Sequence, residues 1–379
     1  MVFLDKQDLF EARTGGYATY RIPSIVISSK NTVIVTTEAR TGKGGDYNYN
    51  DILMRRSLDG GRTFQAPVLC VDHRDYGNGP INNFVMIPDQ LTGKLHALFC
   101  FDYARVFKMH STDDGANFSR PVDITAVLDS FRTVYPWQVC AMGPGHGLQL
   151  QNGRMIIPVW LSDGSGQEFG KGHRGHRPSV VSLIYSDDHG QSWHRGEIVC
   201  KHGDRIDSTT LINPSETVAV ELTDGSVMFN IRSESKVNRR LVATNRNGVS
   251  GWHLRGFDET LLEPVCMASL LRYDGFKDDG FGHIVFVNPD NLENNLIPSG
   301  GRLAHDRKRL TVKVSEDDAQ TWRYSRVLED GPAGYSDLAR LADGTILCLY
   351  ECDIVSRMLD DRYLRLARFS LDWIKERKE

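Results

Sequence analysis

The chain has 379 residues, of which 40% are hydrophobic and 25% charged, a mix that excludes a disordered polymer and fits a folded chain with a substantial core. Lys and Arg total 45 against 49 Asp and Glu, and the resulting charge of −4 excludes a general electrostatic attraction to nucleic acid or to a membrane surface. No apolar run approaches the roughly 18 residues of a spanning helix, and no basic-then-apolar leader opens Met1-Val-Phe-Leu-Asp-Lys6.

Along the chain one unit recurs: a turn residue followed by a short run of strand formers. It starts at Asn31, Gly93, Gly153, Gly225, Gly282 and Gly344, and successive starts lie 62, 60, 72, 57 and 62 residues apart. A second motif, Ser-x-Asp-x-Gly-x-x-Phe/Trp, falls between these units at Ser57–Phe64, Ser111–Phe118 and Ser186–Trp193. A fourth copy, Ser315–Trp322, has Ala319 in place of Gly, and Thr244 to Trp252 is a looser echo. In such a box the Asp bonds local amides, the Gly takes positive φ and the aromatic ring pins the turn to a sheet, so the boxes read as structural turns. Short strands at regular spacing predict an all-β chain, a six-bladed β-propeller forming one domain over residues 1–379. Leu364–Phe369 is expected to close the ring beside the N-terminal strand, and Asp372–Lys378 to form one terminal helical turn.

The seven cysteines (Cys70, Cys100, Cys140, Cys200, Cys266, Cys348 and Cys352) are odd in number and scattered through apolar runs, with no CxxC or Cys/His cluster. They read as buried reduced thiols, with neither zinc site nor disulfide framework. With the missing leader they point to a cytoplasmic protein, and to a secreted or periplasmic one if a leader has been removed.

Ionisable residues recur at one phase of the repeat. Arg40 and Asp102 each lie nine residues after their turn residue, and Arg232 and Glu351 each lie seven after theirs. Charges carried by strand ends to a narrow channel are costly unless a ligand or partner compensates them. The segment Tyr20-Arg21-Ile22-Pro23, followed by several Asp boxes, resembles the Arg-Ile-Pro signature of the sialidases, the exo-α-neuraminidases of the Asp-box propeller superfamily. The resemblance runs from about residue 20 to Glu351.

That resemblance implies a site. Arg21, Arg232 and Arg307 match the three arginines that grip the substrate carboxylate, with Arg309 and Arg302 as rivals for the third place. Glu351 resembles the glutamate that braces the first arginine, and Arg40 an additional pocket arginine. Tyr335, in Gly331-Pro-Ala-Gly-Tyr-Ser-Asp, resembles the nucleophile and Glu216 its base. A neutral phenol suits an anomeric carbon that already carries a carboxylate, since an anionic nucleophile would be repelled. Asp46, on a Gly-rich loop, resembles the general acid/base, a role that calls for a pKa raised by burial; Asp51 is its local rival and reads as structural.

Asp102 is a candidate contact for the glycerol or N-acyl side of the sugar. Gly143-Pro-Gly-His-Gly147 resembles a sialidase loop near the pocket and reads equally as a plain turn. The basic stretch Lys171–Arg177 reads as a solvated loop, with contact to an aglycone as the alternative. No metal or cofactor is required, although the Asp/Asn-rich loop at Asn288 could hold a structural cation. The expected substrates are sialylated oligosaccharides, glycoproteins or glycolipids. A trans-sialidase, a hydrolase of deaminated sialic acid, or a propeller that binds sialoglycans without turnover are the competing readings.

Overall fold

A computed structural model describes residues 2–273, 282–295, 305–356 and 360–376, and among these the chain is almost entirely β. Each predicted turn-and-strand unit forms the second strand out from the axis: Val33–Arg40, Leu95–Phe101, Met155–Ser162, Val227–Ile231, Ile284–Pro289 and Ile346–Ile354. These strands are buried nearly throughout, because each sheet packs between two neighbours and neither face reaches water. That is why their sequences open on apolar runs with no alternation.

Inside each second strand, and antiparallel to it, lies an innermost one: Thr19–Ile27, Ile81–Pro88, Val139–Met142, Thr217–Glu221, Ser269–Arg272 and the last part of Tyr324–Arg340. They contact one another in cyclic order, with Met155–Ser162 completing the step to Thr217–Glu221, and Tyr324–Arg340 returns to Thr19–Ile27. The chain is a β-propeller. Tyr324–Arg340 pairs with Lys308–Ser315 as far as Pro332 and with Ile346–Ile354 from Ala333 onward, so two blades merge into one seven-stranded sheet. Asp361–Phe369 pairs with Leu4–Glu11, which joins the two ends of the described chain. The terminal helical turn is Leu371–Lys375, capped by the Ser370 hydroxyl.

The four Asp boxes share one geometry. In each, the Ser hydroxyl lies 2.7–2.8 Å from its Asp carboxylate and accepts the amide four residues on at 2.8–2.9 Å. Ala319 occupies the glycine position with φ 58°, a left-handed conformation that glycine adopts without strain. The echo aligns one residue later than its sequence suggested: Asn245 and Asn247 stand where Ser and Asp stand elsewhere, each bonding amides of the 247–250 turn. No box residue lines the pocket described next.

Candidate active site

Antiparallel pairing brings the start of each innermost strand and the end of its second strand to the same end of the ring. Arg21 and Tyr335 lie near the starts of innermost strand segments, and Glu216 just precedes one. Arg40 and Arg232 lie at or just past the ends of second strands, and Glu351 lies three residues before the end of one. One pocket at this end is lined by Arg21, Arg40, Asp46, Glu216, Arg232, Arg307 and Tyr335, with Glu351 directly behind Arg21.

Glu351 does more than pair with one arginine. Its carboxylate accepts Arg21 Nε at 3.1 Å and Nη2 at 2.9 Å, and also the N–H groups of Ile22 and Tyr335, each at 3.0 Å. Both amides sit where strand register slips, between Arg21 and Ser24 and between Ala333 and Ser336. A bulge leaves a donor without a ladder partner, and here one buried carboxylate satisfies two of them. Burial raises the Glu351 pKa, but Arg21 and the donated hydrogen bonds outweigh it and hold the carboxyl below its ordinary range. Asp361 approaches Arg21 Nε at 3.2 Å. Burial, and then the charge of Glu351, raise Asp361 to about 7 against the pull of Arg21.

The same device recurs one blade on. Glu38 binds Arg40 at 2.7 Å, two residues away on one strand face, and accepts the N–H of Asn83 at 2.9 Å, again at a register slip. The sequence carried a signal for Glu38, an acid at i−2 from Arg40 and therefore on the same face of the strand, although the reading above did not use it.

Tyr335 donates its hydroxyl to Glu216. Arg232 Nη1 donates to both Glu216 and the Tyr335 oxygen, the latter at 2.7 Å. Burial raises the Tyr335 pKa and Glu216 raises it further, while Arg232 and Arg307 pull it down, so the resting group is a phenol. Arg307 lies 5.1 Å from the Tyr335 ring centroid and donates to the Val265 carbonyl at 2.8 Å. Among the described residues it is the pocket arginine of the three with no carboxylate within ion-pair distance. Of its rivals, Arg309 is exposed at a β-bulge outside the pocket, and Arg302 lies outside the described residues.

Three expectations change. Asp46 sits 2.7 Å from Arg40 Nη1, and although burial raises its pKa, Arg40, His176 and Arg21 prevail and lower it to about 2. In this state it is an ionised carboxylate, not the protonated acid that burial alone would give. Asp102 does not line the pocket, because its carboxylate pairs with Arg174 at 2.7 Å; its neighbour Tyr103 lines the pocket instead. The stretch Lys171–Arg177 is more than a solvated loop, since His176 and Arg177 line the pocket beside Trp160, Glu168, Phe169 and Glu234. Gly143–Gly147 lies away from the pocket: Gly145 accepts from the Ser24 hydroxyl, and His146 pairs with buried Asp337 at 2.8 Å. Asp51 is held by Tyr17 and His73, and Asp290, in the loop considered for a cation, pairs with Lys313 at 2.8 Å.

Residues 39–348 match the profile of the BNR repeat-like domain. The chain belongs to this BNR repeat-like family. A "Sialidase" of Micromonospora viridifaciens is 28% identical to it, covering 97% of this chain and 54% of that protein, so the chain spans about half of that relative's length. The structure titled "Hadza microbial sialidase Hz136" superposes with a TM-score of 0.77 at 23% identity, over 97% of this chain and 69% of that one. The intramolecular trans-sialidase of Ruminococcus gnavus, solved with oseltamivir carboxylate, gives 0.72 at 16% identity over 98% of both chains. This BNR repeat-like chain therefore shares its fold with solved sialidases across nearly its whole length.

Proposed function

We propose that this chain is a retaining exo-α-sialidase, a glycoside hydrolase that removes terminal α-linked sialic acids from oligosaccharides, glycoproteins or glycolipids. The observation that carries the reading is the Tyr335–Glu216–Arg232 contact, set in a pocket that also presents Arg21 and Arg307. We also read the ring as six-bladed, on the strand pairing and the cyclic contacts of the innermost strands.

Arg21, Arg232 and Arg307 would hold the substrate carboxylate, and planar guanidiniums suit that task because each can fork onto it. Arg307, with no carboxylate within ion-pair distance among the described residues, leaves positive charge for a monoanion to neutralise. Tyr335 then attacks the anomeric carbon as its proton passes to Glu216, and the bond to the leaving oxygen breaks. Asp46 supplies a proton to that oxygen. Filling the pocket with an anion and expelling water raises its pKa from the resting value and frees it from Arg40. In the second half, Asp46 takes a proton from water, the water oxygen bonds the anomeric carbon, and the tyrosyl bond breaks. Glu216 returns the proton to Tyr335, and two inversions leave the configuration retained.

The test is turnover of an aryl α-sialoside by wild type and Tyr335→Phe. A loss of about 10²-fold or more in the variant is expected. Full activity in Tyr335→Phe would overturn the nucleophile. No turnover by folded wild type, on N-acetyl and deaminated substrates alike, would leave a glycan-binding propeller. Sialylated lactose among the products, with lactose in excess, would identify a transferase.

A further inference from the structure

The loop that carries Asp46 runs from residue 41 to 49 and contains Gly42, Gly44 and Gly45, the first two with positive φ. Such a segment loses much conformational freedom when it is ordered, so something must hold its tip. The Arg40–Asp46 pair is one tie, and it engages the group that would have to be released for proton transfer. The next residue, Tyr47, is the other. Its hydroxyl donates to the Arg174 carbonyl at 2.6 Å, and its ring stacks on His173 with centroids 4.7 Å apart. The same ring meets Phe169 edge-on at 5.2 Å and Tyr103 at 5.2 Å.

The partner loop, residues 163–178, is anchored in its turn. Arg174 pairs with Asp102 at 2.7 Å and donates to the Gln138 carbonyl at 3.1 Å. Glu168 accepts the His176 N–H at 2.6 Å, and His176 packs on Phe169, Tyr103 and Trp160 at 4.4–5.1 Å. His176, Phe169, Tyr103 and Trp160 form the aromatic wall of the pocket. A ring with two rotatable bonds, seated on both segments, ties them at low entropic cost.

We propose that Tyr47 is a positioning residue that clasps the Asp46 loop to the 163–178 loop, so that the acid and the aromatic wall are placed as one unit. This rests on the sialidase reading for the role of Asp46. It also gives Asp102 a function at one remove: it fixes Arg174, whose carbonyl receives Tyr47. A residue that only filled space would slow every substrate alike. One that places the acid matters most when the leaving oxygen needs a proton, as a sugar alcohol does and a nitrophenolate does not.

The experiment compares wild type, Tyr47→Phe and Tyr47→Ala on 3′-sialyllactose and on 4-nitrophenyl α-sialoside. Tyr47→Ala is expected to lower kcat/KM on sialyllactose by about 30-fold or more and on the nitrophenyl substrate by less than about threefold. Tyr47→Phe, which keeps the stacking and loses the hydrogen bond, should fall between. Equal losses on both substrates, or none on either, overturn the proposal. Hydrogen–deuterium exchange decides the clasp without reference to activity: amides of residues 163–178 should exchange faster in Tyr47→Ala, and unchanged exchange there overturns it. A wild type inactive on both substrates would refute the sialidase reading, and the exchange result would still judge the clasp.

Discussion

The two ends of the propeller use carboxylates in opposite ways. At the Asp-box end, Asp59, Asp113, Asp188 and Asp317 bond groups of their own turns, no more than four residues away. At the pocket end, Glu351 meets Arg21 across 330 positions and Glu216 meets Tyr335 across 119. The box carboxylates stay at the surface and close one hairpin each. Glu351 is fully buried and satisfies an arginine and two bulged amides at once, so three innermost-strand features depend on one side chain. The first kind of carboxylate builds a blade; the second ties together side chains and amides from different blades and so fixes the pocket between them.

Removing one acid from each end should expose the contrast. Glu351→Ala leaves the Arg21 charge buried with Asp361 as its remaining partner and strands two amides, which should cost about 3–5 kcal/mol of stability. Activity should fall at least about 10²-fold through displacement of Arg21 and Tyr335. Urea unfolding and turnover on an aryl sialoside check both, and a variant that keeps its activity would break the seam argument.

Acid should weaken the two ends together. Burial lowers His96, packed beneath the box glycine Gly190, and His176, in the pocket wall, each to about 4. Both are neutral when folded and would take a proton near 6.5 when unfolded, so their contribution is complete above about pH 6.5. It is lost as the pH falls through that value toward about 4, where the folded groups protonate. The share of His96 is about 3 kcal/mol at most. His96→Gln should therefore lose less stability than wild type between pH 7 and pH 4.5, measured by urea midpoint, and equal losses would contradict the assignment.

The box end should respond least. Asp317→Ala removes local acceptors at a partly exposed turn and should cost about 1 kcal/mol, with turnover unchanged. In the same box, Ala319→Gly relieves the left-handed alanine and should stabilise by about 0.5–1 kcal/mol. Thermal unfolding of the two variants separates these signs.

The contrast also explains what the sequence disclosed. The boxes and second strands are local patterns, so their turns, apolar runs and spacing can be read directly, and the phase of the repeat brought Arg40, Arg232 and Glu351 to one end. Arg21, Tyr335 and Glu216 were legible only through resemblance, because no local pattern says that residues 119 apart will meet. Asp102 carried the right phase yet pairs with Arg174, since phase sets the end of the strand and not the direction of the side chain. The ionised resting state of Asp46 was not legible, because it depends on the Arg40 guanidinium reaching the loop carboxylate at 2.7 Å, a matter of side-chain direction and not of spacing. Tyr103, Trp160 and Phe169 gave no signal beyond ordinary core composition, and the wall they form exists only once three separate segments meet.

The most direct test of the central claim is to trap the covalent intermediate. The protein would be incubated with 2,3-difluorosialic acid, whose 3-fluorine slows breakdown of the glycosyl–enzyme bond, then digested for peptide mass spectrometry. One fluorosialyl adduct is expected, on the peptide containing Tyr335 and absent from Tyr335→Phe. An adduct on Glu216 or Asp46, or turnover of an aryl sialoside with inversion and no adduct, would contradict it.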